Sequence, residues 1–250
     1  MFPVIHLGPL SIPARPIILL VAYWFAAEAS ERSAKRLSLP GDAVYNIAFI
    51  GGIAGVIGAR LGYVIEFWSA YQNDLGAIFA LNLNTLSPLA GVLTGALVAY
   101  LYARRKGMAN RKLVDALTSG FIIFAAGMAL ADLASGDGYG SPSSLPWAIE
   151  LWGELRHPTQ VYELIVMIMI GFVVMRSSPP FDGARFGLFV VLYAAARLIV
   201  EAFRGDGLVI GGVRVDQVWS LIALVIALIV LRRWALSAVT RTESIESPQP

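Results

Sequence analysis

Tyr193, Arg197, Glu201 and Arg204 recur at i, i+4, i+8 and i+11 within an apolar stretch. At ~100° per residue of an α-helix they fall within about 80° of one another, so they form one polar stripe on an otherwise lipid-like helix. Such groups are costly inside a bilayer, so the stripe must face a protein interior or a wet cavity. A structural reading exists: Arg197 and Glu201 can pair at i,i+4. Two arginines against one carboxylate still leave positive charge over, and a planar guanidinium suits an anionic head group.

Two other segments carry candidate chemistry. Gly58-Ala59-Arg60-Leu61-Gly62-Tyr63, with Glu66 beyond it, places a guanidinium in an apolar run. Arg60 there is either an anion ligand or a scaffold residue paired with Glu66 or another helix's acid. Gly51, Gly55 and Ala59, and Gly58 and Gly62, follow the small-xxx-small spacing of close helix contact, and Gly91 and Gly95 read the same way. Arg156-His157-Pro158-Thr159-Gln160 leads into another apolar run. Pro158 or Thr159 falls in a first helical turn, whose outward N–H groups favour an anion. His157 reads on its own as a solvated interfacial histidine. Trp147 and Trp152 suit a membrane-interface belt.

No P-loop, dinucleotide fingerprint, zinc spacing or carboxylate-histidine-serine set occurs. His6 and His157 are the only histidines, and there is no cysteine. A metal or soluble cofactor is not expected, and a disulfide, thiolate ligand or cysteine nucleophile of the chain's own is excluded.

These side chains need long apolar elements to hold them. Of the 250 residues, 57% are hydrophobic and 14% charged, against roughly 45–50% and about 25% in soluble domains. That composition excludes a disordered chain or an ordinary soluble enzyme and predicts an all-α, multi-span membrane protein. Seven spans are expected near 12–29, 43–67, 76–102, 114–134, 160–175, 184–203 and 216–231. Each is about long enough for a tilted crossing of a ~30 Å core, the fifth being short. The runs are too long for barrel strands and lack two-residue alternation. No basic n-region precedes the first span, so a cleavable signal peptide is not expected. Residues 1–235 read as one integral membrane domain and 236–250 as a disordered tail. Seven spans also argue against two equal inverted halves.

The cations fix an expected orientation. Thirteen of the nineteen Lys and Arg fall in the connectors after spans 1, 3 and 5 and in the tail, and four fall on the other side. The positive-inside rule then puts the N-terminus outside, the C-terminus inside, and the connector 135–159 on the outer face.

The pattern resembles the prolipoprotein diacylglyceryl transferase family over most of the chain and in segment order. The resemblance rests on His6-Leu7-Gly8-Pro9-Leu10-Ser11-Ile12 and Gly58 through Tyr63. It also rests on Gly136-Asp137-Gly138-Tyr139-Gly140 with Leu145-Pro146-Trp147-Ala148. Arg156 through Glu163 is its most specific match. Tyr193 through Arg197, Glu201, Arg204, Asp206, Gln217 and Ser220 complete it. The family's seven-span, N-out and C-in layout agrees with the charge count.

The resemblance implies a multi-pass enzyme of the bacterial plasma membrane. It would move diacylglycerol from phosphatidylglycerol to the lipobox cysteine of a prolipoprotein and release glycerol phosphate. The attacking thiol belongs to the partner protein, so a cysteine-free enzyme is consistent with it. Displacement expels a phosphate monoester, whose growing charge calls for fixed cations. Arg197 and Arg156 are then expected at the phosphate, with Arg60 and Arg204 supporting and Glu201 in the same stripe. Tyr193 and Asp132 would position substrate, Asp137 and Gly140 would shape the loop, and His157 is the candidate base.

The chain departs from the family pattern at three places. Ser87-Pro88-Leu89-Ala90-Gly91 lacks the third-span histidine. Arg15-Pro16 stands for a first-span Tyr-Gly. Gly127 to Asp132 reads Gly-Met-Ala-Leu-Ala-Asp where the family has Gly-Arg-x-Gly-Asn. An acid at 132 repels a phosphate unless protonated or paired with arginine. A non-catalytic lipid-binding pseudoenzyme or partner subunit on the same scaffold is the alternative. A small transporter using the polar stripe as its path is a third reading.

Overall fold

The computed structural model describes residues 4–7, 10–79 and 85–246. Among them, β1 (Val4–Leu7) and β2 (Leu10–Pro13) lead into α1 (Ala14–Arg36) and α2 (Gly41–Glu66). A one-turn helix, α3 (Trp68–Tyr71), and a 3-10 turn (Leu75–Phe79) precede α4 (Pro88–Arg105) and α5 (Arg111–Ser135). The hairpin β3 (Ile149–Leu151) and β4 (Glu154–Arg156) leads to α6 (Thr159–Arg176) and α7 (Ala184–Val200). A 3-10 turn (Glu201–Phe203) and the hairpin β5 (Val209–Ile210) and β6 (Val213–Arg214) then lead to α8 (Val215–Glu246).

The architecture is all-α, with short antiparallel hairpins confined to connectors. α2, α5, α6, α7 with its 3-10 extension, and α8 are each long and apolar enough to cross a membrane. α1 carries Glu28, Glu31, Arg32, Lys35 and Arg36 toward its end, so its helix runs beyond the apolar limit expected near residue 29. The third expected span begins at 76 in the sequence, but α4 starts only at Pro88. Proline at the first helical position sets that start. α8 continues as helix to Glu246, past the point where composition marks a tail. The β5–β6 turn is Gly211-Gly212, with φ of +58° and +80°, the paired left-handed geometry of the tightest hairpins.

Contact density divides the chain into two units, Ser30–Leu117 and the combination of Met1–Ala29 with Thr118–Pro250. In Ser30–Leu117, α2 and α4 pack through their small residues. A Cβ on Gly95 would stand 2.7 Å from the Gly51 carbonyl oxygen, and one on Gly91 2.9 Å from that of Gly55. Methyls on Gly58 and Gly62 would collide with Thr94 and Ala90. Backbones this close gain dispersion contacts, which drive helix association where apolar lipid removes the hydrophobic effect. Val44, Ile47, Ala103, Met108, Leu113 and Ala116 form the core of this unit.

The other unit has its core where α5, α6 and α7 meet, at Ile122, Met167, Ile170, Val174 and Phe189. α8 presents Trp219, Leu221, Ile222, Val225, Ile226 and Ile229 outward, as a lipid-facing helix does.

Candidate active site

The polar stripe is built at the end of α7. The α-helix stops at Val200 and tightens into the 3-10 turn, after which Arg204 is extended at φ −71°, ψ 144°. The change of geometry keeps Arg197, Glu201 and Arg204 together. Glu201 is 1% exposed, pairs with Arg197 Nη2, and lies 3.7 Å from Arg204 Nε. Glu163, one turn into α6, reaches across to the same group. Its Oε1 accepts from Arg197 Nη1 at 2.6 Å and from Arg204 Nη1 at 3.0 Å. Asp206 grips the other edge of Arg204 with two bonds, at 3.0 and 2.8 Å.

Three carboxylates thus converge on two guanidinium groups, and the surplus positive charge expected from the stripe alone is not there. The sequence count omitted Glu163 and Asp206. Burial by itself would lower the Arg204 pKa, but the bonds to Asp206 and the charges of Asp206, Glu163 and Glu201 hold it above the ordinary arginine value. Arg204 is a permanent cation.

A cavity of about 280 Å3 opens beside this network. Asp132, Glu163, Tyr193, Arg197 and Arg204 form its polar side. Ala125, Met128, Val166, Met167, Ala196 and Val200 form its apolar side. Such a two-faced lining matches a polar head joined to a hydrocarbon chain. Arg197 is 27% exposed, and among the described residues its bonds to Glu163 and Glu201 engage only part of its guanidinium. Its remaining N–H groups can meet a ligand. Tyr193 stacks on Phe189 with ring centroids 5.7 Å apart.

Asp132, at the end of α5, is paired. Arg15 Nη2 stands 3.0 Å from its Oδ1, and Arg15 Nη1 also bonds Asp137 Oδ2. This meets the condition the sequence set for an acid beside a phosphate.

The segment 139–143 frames the site. Gly205 donates to the Tyr139 carbonyl and Ser141 to the Phe203 carbonyl, each at 2.8 Å. On its other side, His157 donates to the Ser141 carbonyl and Ser143 to the Leu155 carbonyl. Gly140 is squeezed between these neighbours, and a methyl there would collide with the His157 carbonyl oxygen. Arg156 pins the same segment: it bonds Gly140 O and Leu151 O, pairs with Glu154, and lies over the Tyr139 ring. Thr159 Oγ1 donates to Gly138 O and Gln160 Nε2 to Asp137 O.

The N-terminus of α6 is therefore filled by this loop, and its first amides bond the carbonyls of His157 and Pro158. Thr159, Val161 and Tyr162 spend their amides on these local carbonyls, where the sequence expected outward-pointing N–H groups.

Of the expected residues in this unit, Arg156, His157, Asp137, Gly140 and Glu201 are not part of the cavity lining. His157 Nδ1 lies 3.3 Å from the Tyr162 hydroxyl, which accepts from Trp147 Nε1, and its ring packs near Phe203. Arg156 holds the loop instead of lining the cavity. Arg60 belongs to the Ser30–Leu117 unit. It donates to the carbonyls of Ala77, Ile78 and Thr85 and to the Thr85 hydroxyl, and sits over the Tyr71 ring. That pattern ties Arg60 to Ala77, Ile78 and Thr85. The side chain of His6 lies outside the described residues. The residue that sequence reasoning missed is Glu163. A carboxylate in the fifth apolar run was as strong a signal as those in the sixth.

Comparison with known proteins bears on this geometry. The family model for prolipoprotein diacylglyceryl transferase matches residues 3–233. A phosphatidylglycerol–prolipoprotein diacylglyceryl transferase of Clostridioides difficile is 32% identical over 196 residues, covering 78% of this chain and 79% of that protein. Its namesake in Corynebacterium diphtheriae is 30% identical over 260 residues, covering 91% of each chain. One in Streptococcus equi subsp. zooepidemicus is 28% identical over 236 residues, covering 89% of this chain and 91% of its own. A match that runs through the α2 motif, the pinned loop and the α7 stripe is a match to the scaffold as a whole, and the chain belongs to the prolipoprotein diacylglyceryl transferase family.

Proposed function

We propose that this protein transfers diacylglycerol from phosphatidylglycerol to the lipobox cysteine thiol of a prolipoprotein and releases glycerol phosphate. The observation that carries the reading is the cavity with Arg197 and Arg204 on one side and an apolar wall on the other. Its seven long helices are the seven spans, with the N-terminus outside and the C-terminus inside a bacterial plasma membrane. Lipid then enters from the outer leaflet.

In the reaction the cysteine sulfur attacks the glycerol carbon that bears the phosphate. A C–S bond forms and the C–O bond breaks, and its electron pair goes to the leaving phosphate oxygen. Arg197 and Arg204 stabilise that growing charge from positions fixed beforehand by Glu163, Glu201 and Asp206. Their positive field favours the thiolate, whose proton passes to water. Tyr193 positions the head group, and Asp132, paired with Arg15, stands at the cavity wall beside it. Arg156, Asp137 and Gly140 hold the loop that frames it, and Arg60 serves as a clamp in its own unit. His157, outside the cavity lining, orients the loop.

A lipid-binding pseudoenzyme is the second reading, and the charge balance favours it: each arginine of the stripe already meets carboxylates. Purified protein in phosphatidylglycerol vesicles with a lipobox peptide separates the two. A thioether-linked diacylglyceryl peptide, detected by its mass, supports transfer. Lipid binding by folded protein with no such product supports the pseudoenzyme.

A further inference from the structure

Arg15 stands outside the cavity lining, in the first turn of α1, yet it touches a residue of the cavity wall. Its side chain is 43% exposed, while that of Asp132 is 14% exposed and turned to the cavity. The charges that line the cavity are Asp132, Glu163, Arg197 and Arg204. Glu163 is shared by both arginines, and these also hold Glu201 and Asp206. The α7 arginines are therefore already balanced by acids. Asp132 draws its direct counter-charge from another part of the chain, through the 3.0 Å contact with Arg15.

We infer that Arg15 sets the head-group charge preference of this cavity by neutralising Asp132 at its wall. With Arg15 in place, an anionic phosphate meets a compensated carboxylate. Without it, the bare carboxylate repels an anion and tolerates a zwitterionic head group, whose ammonium it can attract. Arg15 touches no substrate in this scheme. It is a positioning residue that acts through Asp132, and the inference rests on the lipid-substrate reading above. The same guanidinium also bonds Asp137, which offers a purely structural role: fastening the loop to α1. The two roles make opposite predictions when Asp132 is neutralised. Removing the acid relieves an electrostatic defect but only deepens a fastening defect.

The test compares binding of phosphatidylglycerol with binding of phosphatidylcholine, both in mixed vesicles or nanodiscs. The proteins are the full-length wild type, Arg15→Ala, Arg15→Lys and the double variant Arg15→Ala with Asp132→Asn. Arg15→Ala is expected to weaken phosphatidylglycerol binding about five- to tenfold, with phosphatidylcholine little changed, and less so in high salt. Arg15→Lys keeps most of the preference, and the double variant recovers it. An equal loss for both lipids, or no recovery in the double variant, overturns the inference and leaves Arg15 a fastener. Thioether formation by the wild type is measured alongside. A wild type that prefers phosphatidylglycerol but makes no adduct sinks the transfer reading, while the preference ratios still decide the role of Arg15.

Discussion

Arg197 and Arg204 donate to one and the same oxygen, Oε1 of Glu163, at 2.6 and 3.0 Å. A carboxylate that bridges two guanidiniums fixes their spacing more rigidly than two separate pairs would, and it does so from a different helix. The relationship joins α6 to α7 at the cavity and fixes the spacing of its two cations. It also keeps two like charges side by side, because the bridge offsets their repulsion.

Glu163→Gln keeps the shape of the bridge and removes its charge. The two arginines then repel and shift, and misplacement of transition-state donors by about 1 Å costs on the order of 100-fold in rate. Steady-state turnover with phosphatidylglycerol and a lipobox peptide should fall by about that factor, mainly in kcat. Turnover within twofold of wild type would show that the bridge is not what orders these arginines.

Arg197→Ala should abolish turnover while the protein still inserts and stays folded. Glu201, left by Arg197, keeps Arg204 at 3.7 Å, so its buried charge is not abandoned. Arg197→Lys restores the charge without the planar fork and should recover only a small part of the activity. Size-exclusion behaviour in detergent checks the fold, and product mass reports turnover. Full activity in Arg197→Ala would remove this residue from the phosphate.

Gly140→Ala drives a methyl into the His157 carbonyl, which is backbone and cannot swing aside. Overpacking of this kind costs about 1–3 kcal/mol. The thermal midpoint of the detergent-solubilised protein should drop, and lipid binding should weaken with it because the displaced segment frames Arg204. An unchanged midpoint would mean that the segment is looser than its contacts imply.

Much of this was legible in the residues. Hydropathy located the five helices that are long and apolar enough to cross a membrane, because a continuous apolar run has few other fates in a chain this poor in charge. The glycines of α2 and α4 announced their contact, since small residues at four-residue spacing serve close packing above all. The stripe of Tyr193, Arg197, Glu201 and Arg204 did converge.

What the sequence hid is pairing between elements. Helical periodicity relates residues on one helix but is silent on which neighbour faces them, so Glu163 and Asp206 were not counted against Arg197 and Arg204. For the same reason Arg15 and Asp132 read as two separate departures from the family pattern, whereas in the fold they are one ion pair. The late start of α4 follows from Pro88, a local signal overridden in the hydropathy reading by the apolar residues before it. The connector hairpins are too short for a two-residue alternation to register.

The central claim is that the lipid phosphate binds between Arg197 and Arg204 with its chains along the apolar wall of Met128, Val166 and Met167. An experimental structure of the protein in phosphatidylglycerol nanodiscs tests it most directly. The account predicts phosphate density within hydrogen-bond distance of Arg197, beside Tyr193 and Asp132. Phosphate density at a different place, with the Arg197–Glu163–Arg204 bridge closed and the cavity without a head group, would contradict it.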